Sequence, residues 1–415
     1  MAATSQWTRR LDCGLAFSRQ TGRPSHRTDI QKGRHLLNAH RRIHDVAVVG
    51  SGPAGCATAL ALQRKGVASV CIVDSAINRD PRVGETLPPA INAVLEELAL
   101  WDSFLNDGHE PCLGSCSSWG SDTLGYNDFL FTPYGQGWHL DRRQFDAFLL
   151  SNAISRGTSL FSGRVIGWSA KSQEWLQLRL KEDGGAHSIL NARFVVDATG
   201  SRSAFTRSIA TPPRFLDCLT FLYGFFDASG GSSSLQLTML EAAEAGWWYA
   251  APLPKRRLAV AFATDPDLIR RNKLACEDRW FAALLRTRHI APRLDGCRFL
   301  RGSLTVRAAP SYLLDQVVGT RWLVVGDAAA SYDPLSSGGI YKALESGVRA
   351  ANTLAVALSS NTDISSDYAE STFADFEDYK NNRNHFYQIE QRWPESLFWR
   401  RRRERTQLQR PRQRS

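Results

Sequence analysis

The chain has 415 residues, 43% of them hydrophobic and 22% charged, enough for one large or two medium buried cores and unlike a disordered or low-complexity polymer. No apolar run approaches the roughly 18 residues of a helical membrane span, so none is expected. The formal charge of +10 sits at the ends: residues 1–44 hold 9 Lys/Arg against 2 acids and residues 400–415 hold 8 Arg against 1, so each end carries +7, the body is −4, and no specific nucleic-acid partner is expected.

Residues 1–44 read as a basic, disordered N-terminal tail and 400–415 as a second basic tail, both solvated charge runs. Arg9-Arg10 is followed by no hydrophobic stretch of about 10 residues, so export is not expected. The eight cysteines are scattered, and no His or Cys near Cys112 and Cys116 completes a metal-binding spacing. A reducing, cytoplasmic location and no metal are the expectations.

The first predicted strand, residues 44–49, turns apolar as a buried parallel strand does and runs into Gly50-Ser-Gly52-Pro-Ala-Gly55. An Ala/Leu-rich helix over 56–65 stops at Gly66, and 70–73 is the second strand. Pro88 and Pro89 open a helix predicted to run through Leu105. Residues 108–139 read as loop, and Asp141 with Gln144 reads as a capping box for the helix carrying Phe145, Phe148 and Leu149. Short strands follow over 163–196, with Asp183-Gly184-Gly185 as a hairpin turn and Phe194-Val-Val-Asp197-Ala-Thr-Gly200 as a buried strand ending in glycine. Residues 215–306 read as mostly strand with a helix near 274–288. A strand beginning at Trp322, a helix over 338–358 and a polar helical region up to Trp393 complete the chain.

Two motifs carry chemistry. In the first, Gly50 makes the tight turn, Gly52 lets backbone approach a pyrophosphate, and Gly55 lets the helix pack close to the strand. The helix N-terminus offers N–H groups and partial positive charge to phosphate. Asp74, 19 residues after Gly55, stands where an acid accepts from ribose hydroxyls. In the second, Val324-Val-Gly326-Asp327 ends a strand, and Asp333-Pro334-Leu-Ser-Ser-Gly338-Gly339 leads into a helix start, another anion site. Without a ligand these are a tight turn and a plain helix cap.

The two motifs in this order, with Arg82-Val-Gly84-Glu85-Thr-Leu-Pro-Pro, Arg142 in LDRRQFDAFLL, DATG at 197–200 and GWWYAAPLP at 246–254, make the chain resemble FAD-dependent monooxygenases of the para-hydroxybenzoate hydroxylase type. It resembles their flavin-dependent halogenase relatives more closely, over roughly residues 45–358. VGETLPP, the segment around Trp119, PYGQGWHLDRRQFD and DPLSSGGIYKAL further resemble flavoproteins that mature tryptophylquinone enzymes by modifying a tryptophan inside a protein partner.

The resemblance implies a glutathione-reductase-type FAD-binding domain, an α/β fold with a Rossmann-like parallel sheet. That domain is split over 45–205 and 307–358, with an inserted antiparallel β-sheet substrate domain at 206–306 and a helical C-terminus at 359–399. It assigns Gly50, Gly52, Gly55 and Asp74 to the ADP part of FAD. Arg142 and Asp327 go to the pyrophosphate and ribityl chain, Gly326 is a cofactor-binding glycine that permits close backbone approach, and Pro334, Gly338 and Gly339 go to the flavin ring, where a helix dipole would stabilise reduced flavin. Arg82 and Glu85 lie near the flavin or form a surface ion pair.

The implied activity is hydroxylation of an electron-rich aromatic substrate, a small molecule or a protein-bound tryptophan, through a flavin C4a-hydroperoxide formed with molecular oxygen. With no separate nicotinamide domain visible, electrons come from NAD(P)H bound transiently or from a separate flavin reductase. A halogenase is the alternative, but two features depart from it. No lysine lies between Glu85 and Trp138, and Trp247-Trp-Tyr249-Ala-Ala-Pro replaces W-x-W-x-I-P. A flavin-binding maturation factor without turnover is the third reading. Glu85, His139 and Tyr249 are the catalytic candidates. His109 and His139 are general bases or structural histidines, Trp247, Trp248 and Tyr249 are a stacking platform or sheet core, and Cys112 and Cys116 are inert thiols.

Overall fold

Successive apolar residues at 46–49, 70–73 and 194–196 are buried on both faces, the pattern of parallel strands covered on two sides. In the computed structural model, which describes residues 42–75, 84–203, 205–206, 212–230 and 237–408, these residues form the centre of a seven-stranded sheet. Ile43–Val49 pairs parallel with Val70–Asp74 on one side and His187–Asp197 on the other. Ser159–Ala170 extends the sheet beyond Val70–Asp74, and Trp322–Val324 extends it beyond His187–Asp197. Leu176–Glu182 joins Ser159–Ala170 to His187–Asp197 as an antiparallel meander.

The helices Pro53–Arg64, Arg142–Ser155 and Gly339–Ser360 supply the apolar residues that cover one face of this sheet, Leu60, Leu62, Phe145, Leu149, Leu344 and Leu354 among them. Asp141 caps its helix as expected, accepting from the Arg143 and Gln144 amides, but Gln144 donates to the Asp107 carbonyl instead of closing the box. The helix predicted from Pro88 to Leu105 is two, Ile91–Glu97 and Trp101–Leu105. Ala99 adopts φ +52° between them, and the Leu100 amide bonds back to Leu95 O in a left-handed stop.

A second, eight-stranded sheet is built mainly from 220–264 and is antiparallel with one exception. Thr238–Ala243 pairs parallel with Gly114–Ser118, which pairs in turn with Gly125–Asp128. The stretch 108–139 is therefore not loop. It holds those two strands and two of a small three-stranded sheet, Thr86–Leu87, Gly137–His139 and Glu110–Cys112. Several of the Ser and Gly residues that made it read as loop lie on short strands, one of which, Gly114–Ser118, pairs with a strand more than 100 residues away.

The helices Asp367–Ile389 and Leu397–Leu408 close the fold. The reading of 400–415 as a solvated tail is corrected over 400–408, and 409–415 and the N-terminal tail 1–41 lie outside the described residues. Arg402 is 3% exposed, bonded to Asp265 Oδ1 at 2.8 Å and seated 3.5 Å over the Phe398 ring. Arg401 pairs with Asp265 at 2.9 Å and Asp267 at 2.7 Å. Burial pushes the Asp265 carboxyl up, but Arg402 and Arg401 together hold it below the usual range. Removing one partner of such a buried pair strands the other charge. Arg402→Ala should lower unfolding free energy by about 3 kcal/mol in urea denaturation, while Arg400→Ala, on the half-exposed face, should change it by under about 0.5 kcal/mol.

Candidate active site

Three distant stretches meet around the start of the Pro53–Arg64 helix. Gly50 has φ +111°, and a Cβ there would stand 2.3 Å from the Ala198 carbonyl oxygen. A Cβ on Gly55 would stand 2.0 Å from the Gly50 carbonyl oxygen. One on Gly326 would reach Ala54 Cβ at 2.8 Å, and one on Gly347 the Ala54 carbonyl at 2.5 Å. Gly52, extended at φ −74°, caps the helix without a side chain, leaving its positive end for an anion. Asp74 closes the second strand and accepts from the Ser51 N–H at 3.0 Å and from Ser51 Oγ.

Asp327 follows Gly326 and pairs with Lys342 Nζ at 3.1 Å; Lys342 also bonds the Ala330 carbonyl and lies 4.1 Å over the Tyr332 ring. Pro334 opens a short 3-10 turn, Ser337 is left-handed at φ +49°, and Gly338 caps the Gly339–Ser360 helix. Arg142 opens its helix and pairs with Asp146 at 3.3 Å. A Cβ on Gly84, φ +106°, would lie 3.0 Å from Arg142 Nη1 and 3.8 Å from Ile340 Cδ1, so the Glu85 segment adjoins both helix starts. Arg82 lies outside the described residues.

Glu85 is 3% exposed, and its Oε1 has no hydrogen-bond partner among the described residues. Burial pushes its carboxyl up to about 7, opposed by the Gly84 backbone, Arg142 and the Tyr249 hydroxyl. Tyr249, on the strand Gly246–Leu253, is raised well above its ordinary range by burial and by Glu85. Its hydroxyl lies 3.0 Å from Thr86 Oγ1, which lies 2.7 Å from Thr238 Oγ1. His139 is buried on the strand Gly137–His139, opposite Thr86 in register.

Among the sequence candidates, Glu85 and Tyr249 come together, and His139 lies one strand away. Trp247 and Trp248 do not form a platform. Trp247 is in the core and donates to Tyr387 Oη, and Trp248 stacks on Phe262 at 4.5 Å on the opposite sheet face. His109 is structural, 3.1 Å from Asp107 and packed 4.6 Å from Phe104. Burial raises the Cys112 and Cys116 thiols, making them poor nucleophiles. Sequence reasoning did not single out Thr86, Thr238 or Lys342. Only Lys342 had a signal, standing one helical turn after Gly338.

These residues fit FAD: a glycine cradle that side chains would fill, two helix N-termini, an acid closing the second strand, and a buried carboxyl oxygen without a partner among the described residues. Residues 126–414 match the tryptophan halogenase family, and residues 45–79 match an FAD binding domain. The chain belongs to the tryptophan halogenase family. It is an FAD-dependent oxidoreductase whose relatives include flavin-dependent halogenases.

This family member is 29% identical over 363 residues to the putative FAD-dependent oxidoreductase LodB of Marinomonas mediterranea, covering 86% of this chain and 96% of that one. The solved peptidyl tryptophan dihydroxylase QhpG, essential for tryptophylquinone cofactor biogenesis, is 26% identical with TM-score 0.67, over 87% of this chain and 79% of that one. The flavin-dependent halogenase CmlS superimposes with TM-score 0.78 at 23% identity, over 89% of this chain and 70% of that one, a likeness of fold.

Two outcomes are expected. Gly55→Leu should abolish FAD retention, measured by flavin absorbance after desalting, because the side chain would displace the Gly50 backbone. Glu85 binds its proton more tightly folded than unfolded, so it costs stability that grows as pH rises from about 4.5 to about 7. Glu85→Gln should therefore be more stable than wild type at pH 8 by about 3 kcal/mol, with the difference vanishing near pH 4.5 in denaturation curves of the FAD-free protein.

Proposed function

We propose that the chain hydroxylates an electron-rich aromatic ring, and that its substrate is a tryptophan side chain in a protein partner. The observation that carries this reading is the buried Glu85 carboxyl. Among the described residues it is poised near neutrality with an unpartnered oxygen beside the Tyr249 hydroxyl, and the cation acting on it there is an arginine tied to Asp146. No lysine lies between Glu85 and Trp138 to guide an oxidised halide to the ring. The likeness to QhpG, a peptidyl tryptophan dihydroxylase, supports a protein-bound tryptophan.

Gly50, Gly52, Gly55, Asp74, Arg142, Gly326, Asp327, Pro334, Gly338 and Gly339 would hold FAD, which would supply oxygen activation with electrons from NAD(P)H or a separate reductase. The chain's own residues handle protons and orientation. Glu85 takes or returns a proton at Oε1, since its affinity is matched to neutral pH. Tyr249 stays protonated and fixes that carboxyl by hydrogen bonding. His139, buried on the neighbouring strand, is the second proton-handling group. Arg142, at its helix start, adds positive charge for the cofactor's phosphates. No helix among the described residues is long and apolar enough to cross a membrane, and we place the enzyme in the cytoplasm.

The decisive experiment incubates the FAD-loaded protein with a flavin reductase, NADH, oxygen, chloride and bromide, and a set of tryptophan-bearing proteins and peptides. Product mass is read by mass spectrometry. Oxygen gain on tryptophan, labelled from 18O2, is expected; halogen gain would instead make this a halogenase. Bound FAD with no oxygen-dependent product from any partner would leave a maturation factor without turnover. Glu85→Gln is expected to lower kcat on the order of 100-fold and to remove the limb of the kcat profile near pH 7.

A further inference from the structure

The C-terminal helix Asp367–Ile389 lies beyond the nucleotide-binding motifs, yet it grips the turn that follows the second one. Asp333, 1% exposed, immediately precedes Pro334. Its N–H donates to Tyr379 Oη at 2.7 Å, and Tyr387 Oη donates to its Oδ2, also at 2.7 Å. Its Oδ1 accepts from the Leu335 amide at 3.0 Å. Arg383 Nε stands 3.6 Å from Oδ2, while Arg383 Nη2 bonds Asp217 at 2.7 Å. Asp217 in turn accepts from the Leu219 and Ser311 amides. The Tyr387 ring lies under two guanidiniums, Arg383 at 4.7 Å and Arg402 at 5.3 Å, and its hydroxyl accepts from Trp247 Nε1 at 3.1 Å.

The turn beyond Asp333 is under backbone constraint. Ser337, not a glycine, is left-handed at φ +49°, a conformation that persists when its surroundings impose it. One end of the turn is tied by the Gly339–Ser360 helix and the other by the Asp333 carboxylate. Burial raises the Asp333 carboxyl despite Arg383, so the Tyr387 hydroxyl that donates to it helps keep it ionised.

We propose that Tyr387 and Arg383 are positioning residues of the cofactor site, holding Asp333 and through it the 334–339 turn in the conformation that meets the flavin ring. This rests on the reading that the turn lies beside the flavin. It makes the C-terminal helix part of the oxidoreductase site, although no residue of that helix need touch the cofactor.

The test compares full-length wild type with Tyr387→Phe, which keeps the ring and deletes the hydroxyl. Arg383→Lys keeps the charge but loses the fork that reaches two carboxylates. Arg401→Ala weakens the C-terminal docking at Asp265 and Asp267 without touching Asp333. FAD affinity is read by titration, the bound flavin's visible bands and midpoint potential by spectroscopy, and Tm by circular dichroism.

Tyr387→Phe and Arg383→Lys are expected to weaken FAD binding by about tenfold and to shift the flavin bands and potential. Arg401→Ala should lower Tm with FAD affinity, bands and potential unchanged. Wild-type affinity and spectrum in both Tyr387→Phe and Arg383→Lys would overturn the proposal and leave the flavin assignment standing. So would losses that merely track Tm across the three variants. A wild type that binds no FAD would overturn the flavin assignment, and this proposal with it.

Discussion

Everything in this fold depends on a backbone-to-backbone approach that a single Cβ would prevent. Gly50 meets the Ala198 carbonyl, Gly55 meets Gly50, and Gly326 and Gly347 close on Ala54. Three such backbone contacts, and the approach of Gly326 to the Ala54 methyl group, bring residues 50–55, 198 and 326–347 to one place, although nearly 300 residues separate the ends of that list. The same absence of side chains that lets the elements touch leaves a helix end open to a pyrophosphate. Close packing and an open helix end come from one constraint here, and dispersion gained by close approach supports the packing.

The second sheet and the C-terminal helices are held differently. Aromatic residues fill their contact, with Trp119, Trp247, Tyr387, Phe398 and Trp399 meeting edge to face or tilted. Inside that apolar packing lie two buried ionic groups, Asp217–Arg383–Asp333 and Asp265–Arg402. Such pairs contribute little net stability against an apolar core of equal volume, but they are costly to mispair. They therefore set which helix face docks, and one of them ends on the turn that follows the second nucleotide motif.

The region around Glu85 joins these two systems. Its segment adjoins Arg142 and Ile340 on the dinucleotide side, and through Thr86 it meets Thr238 and Tyr249 of the second sheet. A carboxyl buried where elements of different sheets converge loses water from every side, and that raises its proton affinity more than Arg142 lowers it. A group of this kind costs folding stability and has a use in proton transfer.

The nucleotide-binding half was legible in the sequence because its signals are local. A strand, a glycine turn, a helix stop and an acid stand within about 30 residues of one another, each spacing set by backbone geometry. The second glycine motif and the Asp141 cap were legible for the same reason. What tertiary structure alone decided depends on partners far along the chain. Strands 114–118 and 125–128 exist because Thr238–Ala243 pairs with the first of them. The arginines at 400–403 look like a solvated run until Asp265 and Asp267 draw in two of them. Trp247 and Trp248 divide between opposite sheet faces, and the protonation of Glu85 is set by burial. Pairing register, burial and the charge of a neighbour more than 100 residues away are properties of the assembled fold, and no local spacing encodes them.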